Sequence, residues 1–146
     1  MDIYKDDAYD KFVDWEKSTK DAIDFKRIYF DITGNINTAL LLSQIIFWFL
    51  PGPETGKLKL RVKKHGRYWI AKKRAEWWHE CRLSPYQFDR ASKILIRKKL
   101  IIKQVYKFQN SPQVHISVEF DQLLQCLREL QRASDVNEFR ILKFAN

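Results

Sequence analysis

The apolar positions change their period along the chain, and each change marks an element. From Asp7 to Thr19, Ala8, Tyr9, Phe12, Val13 and Trp15 recur at roughly helical spacing among acids, which predicts a peripheral helix with an acidic outer side. Phe25-Lys26-Arg27-Ile28-Tyr29-Phe30 reads as a short strand or an extended lead-in, closed by Thr33-Gly34-Asn35. Ile36 to Leu50 is apolar nearly all round. With Asn35 or Asn37 as its cap, it predicts a helix buried on every side, in the core or partly in a subunit interface. That helix is shorter than the ~20 residues a membrane span requires, and Pro51, Gly52 and Pro53 end it. Leu58 to Lys63 alternates strictly, the mark of a half-buried strand with a basic outer face. His65-Gly66 offers a turn and Arg67 to Ala71 a returning strand, whose Trp69–Ala71 end is expected to pair with the hairpin further on.

The centre of the chain follows. Lys72 to Cys81 predicts a short helix, with one of Trp77 and Trp78 in the core and the other partly exposed. Only Arg82-Leu83 separates it from Ser84-Pro85, where Gln87 completes the pattern of a capped helix start running on to Lys99. Projected at ~100° per residue, Phe88, Ala91, Ser92, Leu95 and the stem of Lys99 share one face of this helix. Tyr86, Arg90, Lys93 and Arg97 share the other. Leu100–Tyr106 and Val114–Val118 read as strands joined by the turn-rich linker Lys107–Gln113. Asp121 is placed to cap a last helix, to about Ala133, whose stripe of Leu123, Leu124, Leu127 and Leu130 packs back onto the N-terminal helices or forms a dimer seam. Asp135 to Asn146 reads as a short strand or docking segment. Helix, turn, helix, hairpin is the order of a winged helix. The expected fold is therefore α+β and mainly helical, a winged helix-turn-helix with extra N- and C-terminal helices and a small antiparallel sheet. It forms a single domain over 1–146, with an extension (1–35), a core (36–120), and a C-terminal helix and tail (121–146).

Charge gives this outline a direction. The chain carries a net +9, and its 45% hydrophobic content fits a folded globule. Residues 57–107 hold 17 basic and 3 acidic side chains, an excess of 14, while every other part of the chain is slightly acidic. Such density favours a polyanion, with counterion release as the driving term. An anionic membrane is a weaker expectation, because no apolar or lipidated anchor flanks the run. Two cysteines, Cys81 and Cys126, suggest free thiols in a reducing, cytoplasmic setting.

Signs of chemistry are few. His79-Glu80 begins like a metalloprotease signature, but Leu83 stands where the second His belongs. No phosphate cradle, dinucleotide fingerprint or nucleophile elbow occurs, so neither an enzyme nor a metal or other cofactor is expected.

The run Thr38-Ala39-Leu40-Leu41-Leu42-Ser43-Gln44-Ile45-Ile46-Phe47-Trp48-Phe49, with Trp69-Ile70-Ala71-Lys72, Glu76-Trp77, Leu83-Ser84 and Leu95-Ile96-Arg97-Lys98-Lys99-Leu100-Ile101-Ile102, resembles a known group. These are the winged-helix proteins that phages and plasmids encode near replication genes and, more loosely, the N-terminal domain of DnaD-type primosomal proteins. The likeness covers roughly 28–120, and Lys99 stands where those proteins usually carry Gly. It implies DNA binding in replication initiation or in transcriptional control of a mobile element. The residues themselves predict binding to double-stranded DNA. Tyr86, Gln87, Arg90, Lys93 and Arg97 would enter the major groove, and Ser84 would bring the helix N-terminus to a phosphate. Lys72, Lys73 and Arg74 would hold the backbone, and Lys103, Lys107, Gln109 and Asn110 of the wing (103–115) would reach adjacent phosphates or the minor groove. The alternative is a protein-interaction module of a replication complex, pairing with itself through 36–50 or 121–133, or with replication proteins.

Overall fold

Ile36–Phe49 forms the helix α3, against which much of the core assembles. In the computed structural model, which describes residues 7–144 and the side chains of residues 7–135, Asn35 is its cap. The Asn35 Oδ1 accepts from the Thr38 amide at 3.0 Å. Ala39, Leu41, Leu42 and Ile45 are fully buried, whereas Ile36, Phe47 and Leu50 break the surface. The middle of the helix is thus the core and its two ends are not. At its C-terminal end, Lys59 Nζ donates to the carbonyls of Phe47 (3.0 Å) and Leu50 (2.8 Å). A cation on the last carbonyls complements the helix dipole.

Two helices precede it. α1 (Asp7–Ser18) forms where its periodicity predicts. α2 (Arg27–Thr33) replaces the strand or extended lead-in expected at Phe25–Phe30. Gly34, at φ 72°, closes it with an amide donating to the Phe30 carbonyl at 2.6 Å. Tyr29 and Ile32 then face α3 at helical spacing, and that burial outweighs the aromatic and β-branched character of the run.

The sheet has four antiparallel strands in the order β1-β2-β4-β3. They are β1 (Val62–Lys64), β2 (Arg67–Ala71), β3 (Ile101–Phe108) and β4 (Ser111–Val118). The strand expected over Leu58–Lys63 pairs only at Val62 and Lys63, because Lys59 is drawn to α3 and Leu58 makes one bridge to Pro51. β2 divides its partners: Val62 lies opposite Trp69, whereas Ile70 and Ala71 lie opposite Ile116 and His115. The expected linker Lys107–Gln113 shortens to a two-residue turn. Gln109 and Asn110 take φ of 51° and 67°, the left-handed pair that matches the twist of a hairpin, and the strands run on to Phe108 and Ser111.

α4 (Glu76–Cys81) starts four residues later than the Lys72 expected. The backbone at 72–73 instead extends the sheet. The Lys72 amide donates to the Val114 carbonyl at 3.4 Å. The Gln113 side-chain oxygen, in the orientation its donors require, accepts from Lys72 and Lys73 at 3.2 Å each. α5 (Pro85–Arg97) then carries the predicted capping box: the Gln87 amide donates to Ser84 Oγ at 3.2 Å and the Ser84 amide to Gln87 Oε1 at 2.9 Å. Phe88, Ala91, Ser92 and Leu95 are buried as expected. Lys99 is not on that face; it lies beyond the helix, exposed, at φ 62°. α6 (Phe120–Phe144) begins one residue before Asp121 and continues as helix through the stretch from Asp135 expected as a strand or docking segment. Ala145 and Asn146 lie outside the described residues. Leu123 is buried and Leu127 and Leu130 rest on the core, so most of the leucine stripe packs inward, while Leu124 stays 46% exposed.

The architecture is α+β and mainly helical, with one small antiparallel sheet. Among the described residues no single helix is long and apolar enough to cross a membrane, and in the bent pair α2–α3 the middle of α3 is buried core.

Candidate nucleic-acid interface

α4 and α5 meet at a turn of three residues, Arg82 to Ser84. Arg82 takes φ 60°, and its guanidinium donates back to the Trp78 carbonyl at 2.8 Å. Leu83 and Trp77 fill the angle between the helices, and the Trp77 ring stacks on Phe88 with centroids 5.4 Å apart and an 11° tilt. Trp77 is thus the core tryptophan and Trp78, at 48% exposure, the surface one. This wedge fixes α5 and leaves its other face outward.

That face holds four of the predicted contacts together. Tyr86, Arg90, Lys93 and Arg97 are all exposed, and among the described residues none of the three cations forms an ion pair with an acid. The Arg90 guanidinium donates to Tyr86 Oη at 2.9 Å and lies 5.7 Å from the ring centroid. It is therefore held against Tyr86, one turn back along the helix. Gln87 is less free than expected: its Oε1 serves the capping box, which leaves the amide nitrogen to donate outward. Beside them runs a groove of about 510 Å³, lined from α5 by Ser84, Tyr86, Gln87 and Arg90 and from the start of α3 by Asn35 and Asn37. The two asparagines sit some fifty positions upstream of Tyr86, a separation across which no sequence period signals contact.

The other predicted contacts divide. Lys73 is exposed before α4, and Lys107, Gln109 and Asn110 are exposed at the hairpin end. Lys72, Arg74 and Lys103 are already engaged within the fold. Lys72 Nζ pairs with Glu80 Oε2 at 2.7 Å and lies 4.3 Å from the Trp48 ring. Arg74 meets Asp89 of α5 through two hydrogen bonds, 2.9 and 2.6 Å. Lys103 Nζ lies 3.4 Å from Ser92 Oγ and 5.3 Å from the Phe88 ring, under the inner face of α5. These three fasten the surface that carries the free cations.

Glu80 is the centre of that fastening. Its Oε1 accepts from Gln44 Nε2 (2.8 Å) and Trp48 Nε1 (2.6 Å), so the carboxylate joins α3, α4 and the segment after β2. The Glu of the His79-Glu80 pair therefore serves packing. In the sheet, His115 is fully buried, with Nδ1 donating to the Gln113 carbonyl at 2.8 Å. His65 and His115 both lie against Tyr106, at 6.0 and 5.2 Å. Among the described residues no three His, Cys, Asp or Glu side chains gather as a metal site. Comparison with protein-family models, with curated proteins and with solved structures finds no match.

Proposed function

We propose that this chain is a winged helix-turn-helix protein that binds double-stranded DNA, with α5 in the major groove and the β3–β4 hairpin, as the wing, on the backbone. The observation that carries the reading is the outer face of α5, where Tyr86, Arg90, Lys93 and Arg97 stand exposed and unpaired with acids inside a segment whose excess charge is +14. Arg90 and Arg97 offer the forked donors that read guanine edges, and Lys93 supplies a point charge for phosphate. At the N-terminus of α5 the capping box occupies the Ser84 and Gln87 amides and Pro85 has none, which leaves the Tyr86 amide and the helix dipole to face a phosphate. Lys73, Lys107, Gln109 and Asn110 add backbone contacts that set register without reading sequence. Lys72, Arg74 and Lys103 act by holding α5 and the hairpin in place. The protein in this reading binds and carries out no catalytic step. In keeping with the family resemblance, the biological setting is replication initiation or transcriptional control of a mobile element in the cytoplasm.

Anisotropy titrations on short random-sequence duplexes, from low to moderate salt, test the reading. Affinity should fall steeply with salt, and Lys93→Ala with Lys107→Ala should flatten the slope by about one for each phosphate that is no longer neutralised. On a selected site, Arg90→Ala should cost about 1–3 kcal/mol and relax sequence preference, while Lys107→Ala should weaken all sequences alike. Absence of binding at low salt would discard the proposal. The protein-interaction reading would then lead, supported by the exposed Phe12, Trp15 and Leu124.

A further inference from the structure

The internal hydrogen bonds around the outer face of α5 decide which of its polar groups stay open to a ligand, and those that stay open are donors. The Gln87 Oε1 is taken by the Ser84 amide, so the Nε2 hydrogens are what that side chain offers. The Tyr86 Oη accepts from Arg90, which leaves its O–H to donate. Arg90, Lys93 and Arg97 carry no side-chain acceptor. Asp89, the acid of α5, gives both carboxylate oxygens to Arg74, at 2.9 and 2.6 Å. In the adjoining groove the Asn35 Oδ1 accepts from the amide and the hydroxyl of Thr38, at 3.0 Å each.

Base edges in the major groove differ in what they can give such a face. Guanine presents two adjacent acceptors, N7 and O6, which a guanidinium fork meets with two donors. An adenine–thymine pair sets the adenine N6 donor between two acceptors, and cytosine presents its N4 donor. Against a face of donors those amino groups are left desolvated and unpaired. Gln87 is also barred from the bidentate reading of adenine, because the oxygen that would accept from N6 is held in the cap. From Tyr86 to Arg97 the face runs about 16 Å, roughly five base steps of ~3.4 Å. We propose that α5 selects a run of guanines on one strand, because internal bonds occupy the acceptors of Gln87, Tyr86 and Asp89. This selectivity presupposes the DNA-binding reading and specifies the class of sequence bound.

Anisotropy titrations of the full chain test it on short duplexes that differ only in their central pairs: a run of guanines, a run of adenines, or guanines alternating with cytosines. The guanine run should bind about tenfold tighter than the adenine run, the discrimination of one or more bidentate contacts. Putting 7-deazaguanine in the run removes the N7 acceptor and keeps the pairing and the phosphates, and it should erase most of that ratio. Gln87→Glu retains a capping-box residue but turns the outward group from donor to acceptor. It should lower the guanine-to-adenine ratio severalfold with an unchanged melting curve. Equal affinity for the three duplexes with a steep salt slope overturns the guanine preference and leaves DNA binding standing. A preference that survives 7-deazaguanine also overturns it, since the run would then be read through duplex shape. So does a ratio unmoved by Gln87→Glu. No binding to any duplex at low salt overturns this selectivity together with the DNA reading.

Discussion

Among the described residues, five that are not glycine hold positive φ: His65, Arg82, Lys99, Gln109 and Asn110. Gln109 and Asn110 close a hairpin, and Arg82 gains a hydrogen bond and a ring contact from its turn. At Lys99 the backbone simply swings from α5 into β3, with the Lys99 amide on the Ile96 carbonyl at 2.9 Å and the Leu100 amide on the Leu95 carbonyl at 2.9 Å. A left-handed conformation costs a residue with a Cβ about 1–2 kcal/mol, part of which a glycine returns through its freer unfolded chain. Lys99→Gly should therefore raise stability by about 0.5–1 kcal/mol, read as a higher urea midpoint at unchanged slope, while Lys99→Ala should give no gain.

At the scale of elements, what is legible in the sequence is local. Ser84, Pro85 and Gln87 announce α5 because a capping box lies within four residues, and the 88–91–92–95 stripe needs only the helical period. The limits of α4 are not legible. They depend on Gln113 and Val114, some forty residues away, which draw the backbone of Lys72 and Lys73 into the sheet. Leu58–Lys63 misleads for a related reason, since alternation reports a face but not whether a strand lies beside it. The outer face of α5 can be foreseen, but the engagement of Lys72 and Arg74 cannot, because Glu80 and Asp89 reach them through space. Glu80 is where this matters for stability. Removing it leaves Gln44, Trp48 and Lys72 without their shared acceptor at a site only 14% exposed. Glu80→Ala should cost about 2–4 kcal/mol in denaturant unfolding, with Glu80→Gln less damaging because it keeps an acceptor.

At the scale of the molecule, the two thiols report on the fold as a whole. Burial, opposed by a hydrogen bond from the Leu83 backbone and reinforced by the nearby Glu80 charge, pushes the Cys81 thiol from 9.0 up to about 11. Cys126 is only half-buried. A maleimide at neutral pH should therefore modify Cys126 quickly and Cys81 only as the protein unfolds, which mass spectrometry of labelled peptides resolves. A raised thiol pKa favours the folded state below pH 9 and withdraws that support as pH climbs through about 11. The Tyr29 phenol, raised by burial, acts in the same sense at higher pH. Thermal stability should thus decline on the alkaline side from about pH 9. The Gln113 amide has a different consequence. It ties the β3–β4 hairpin to the backbone that leads into α4, so the hairpin is not an exchangeable cassette. A chimera that borrows only residues 101–118 leaves the tie behind, and the smallest unit that transplants with its geometry intact runs from 72 to 118.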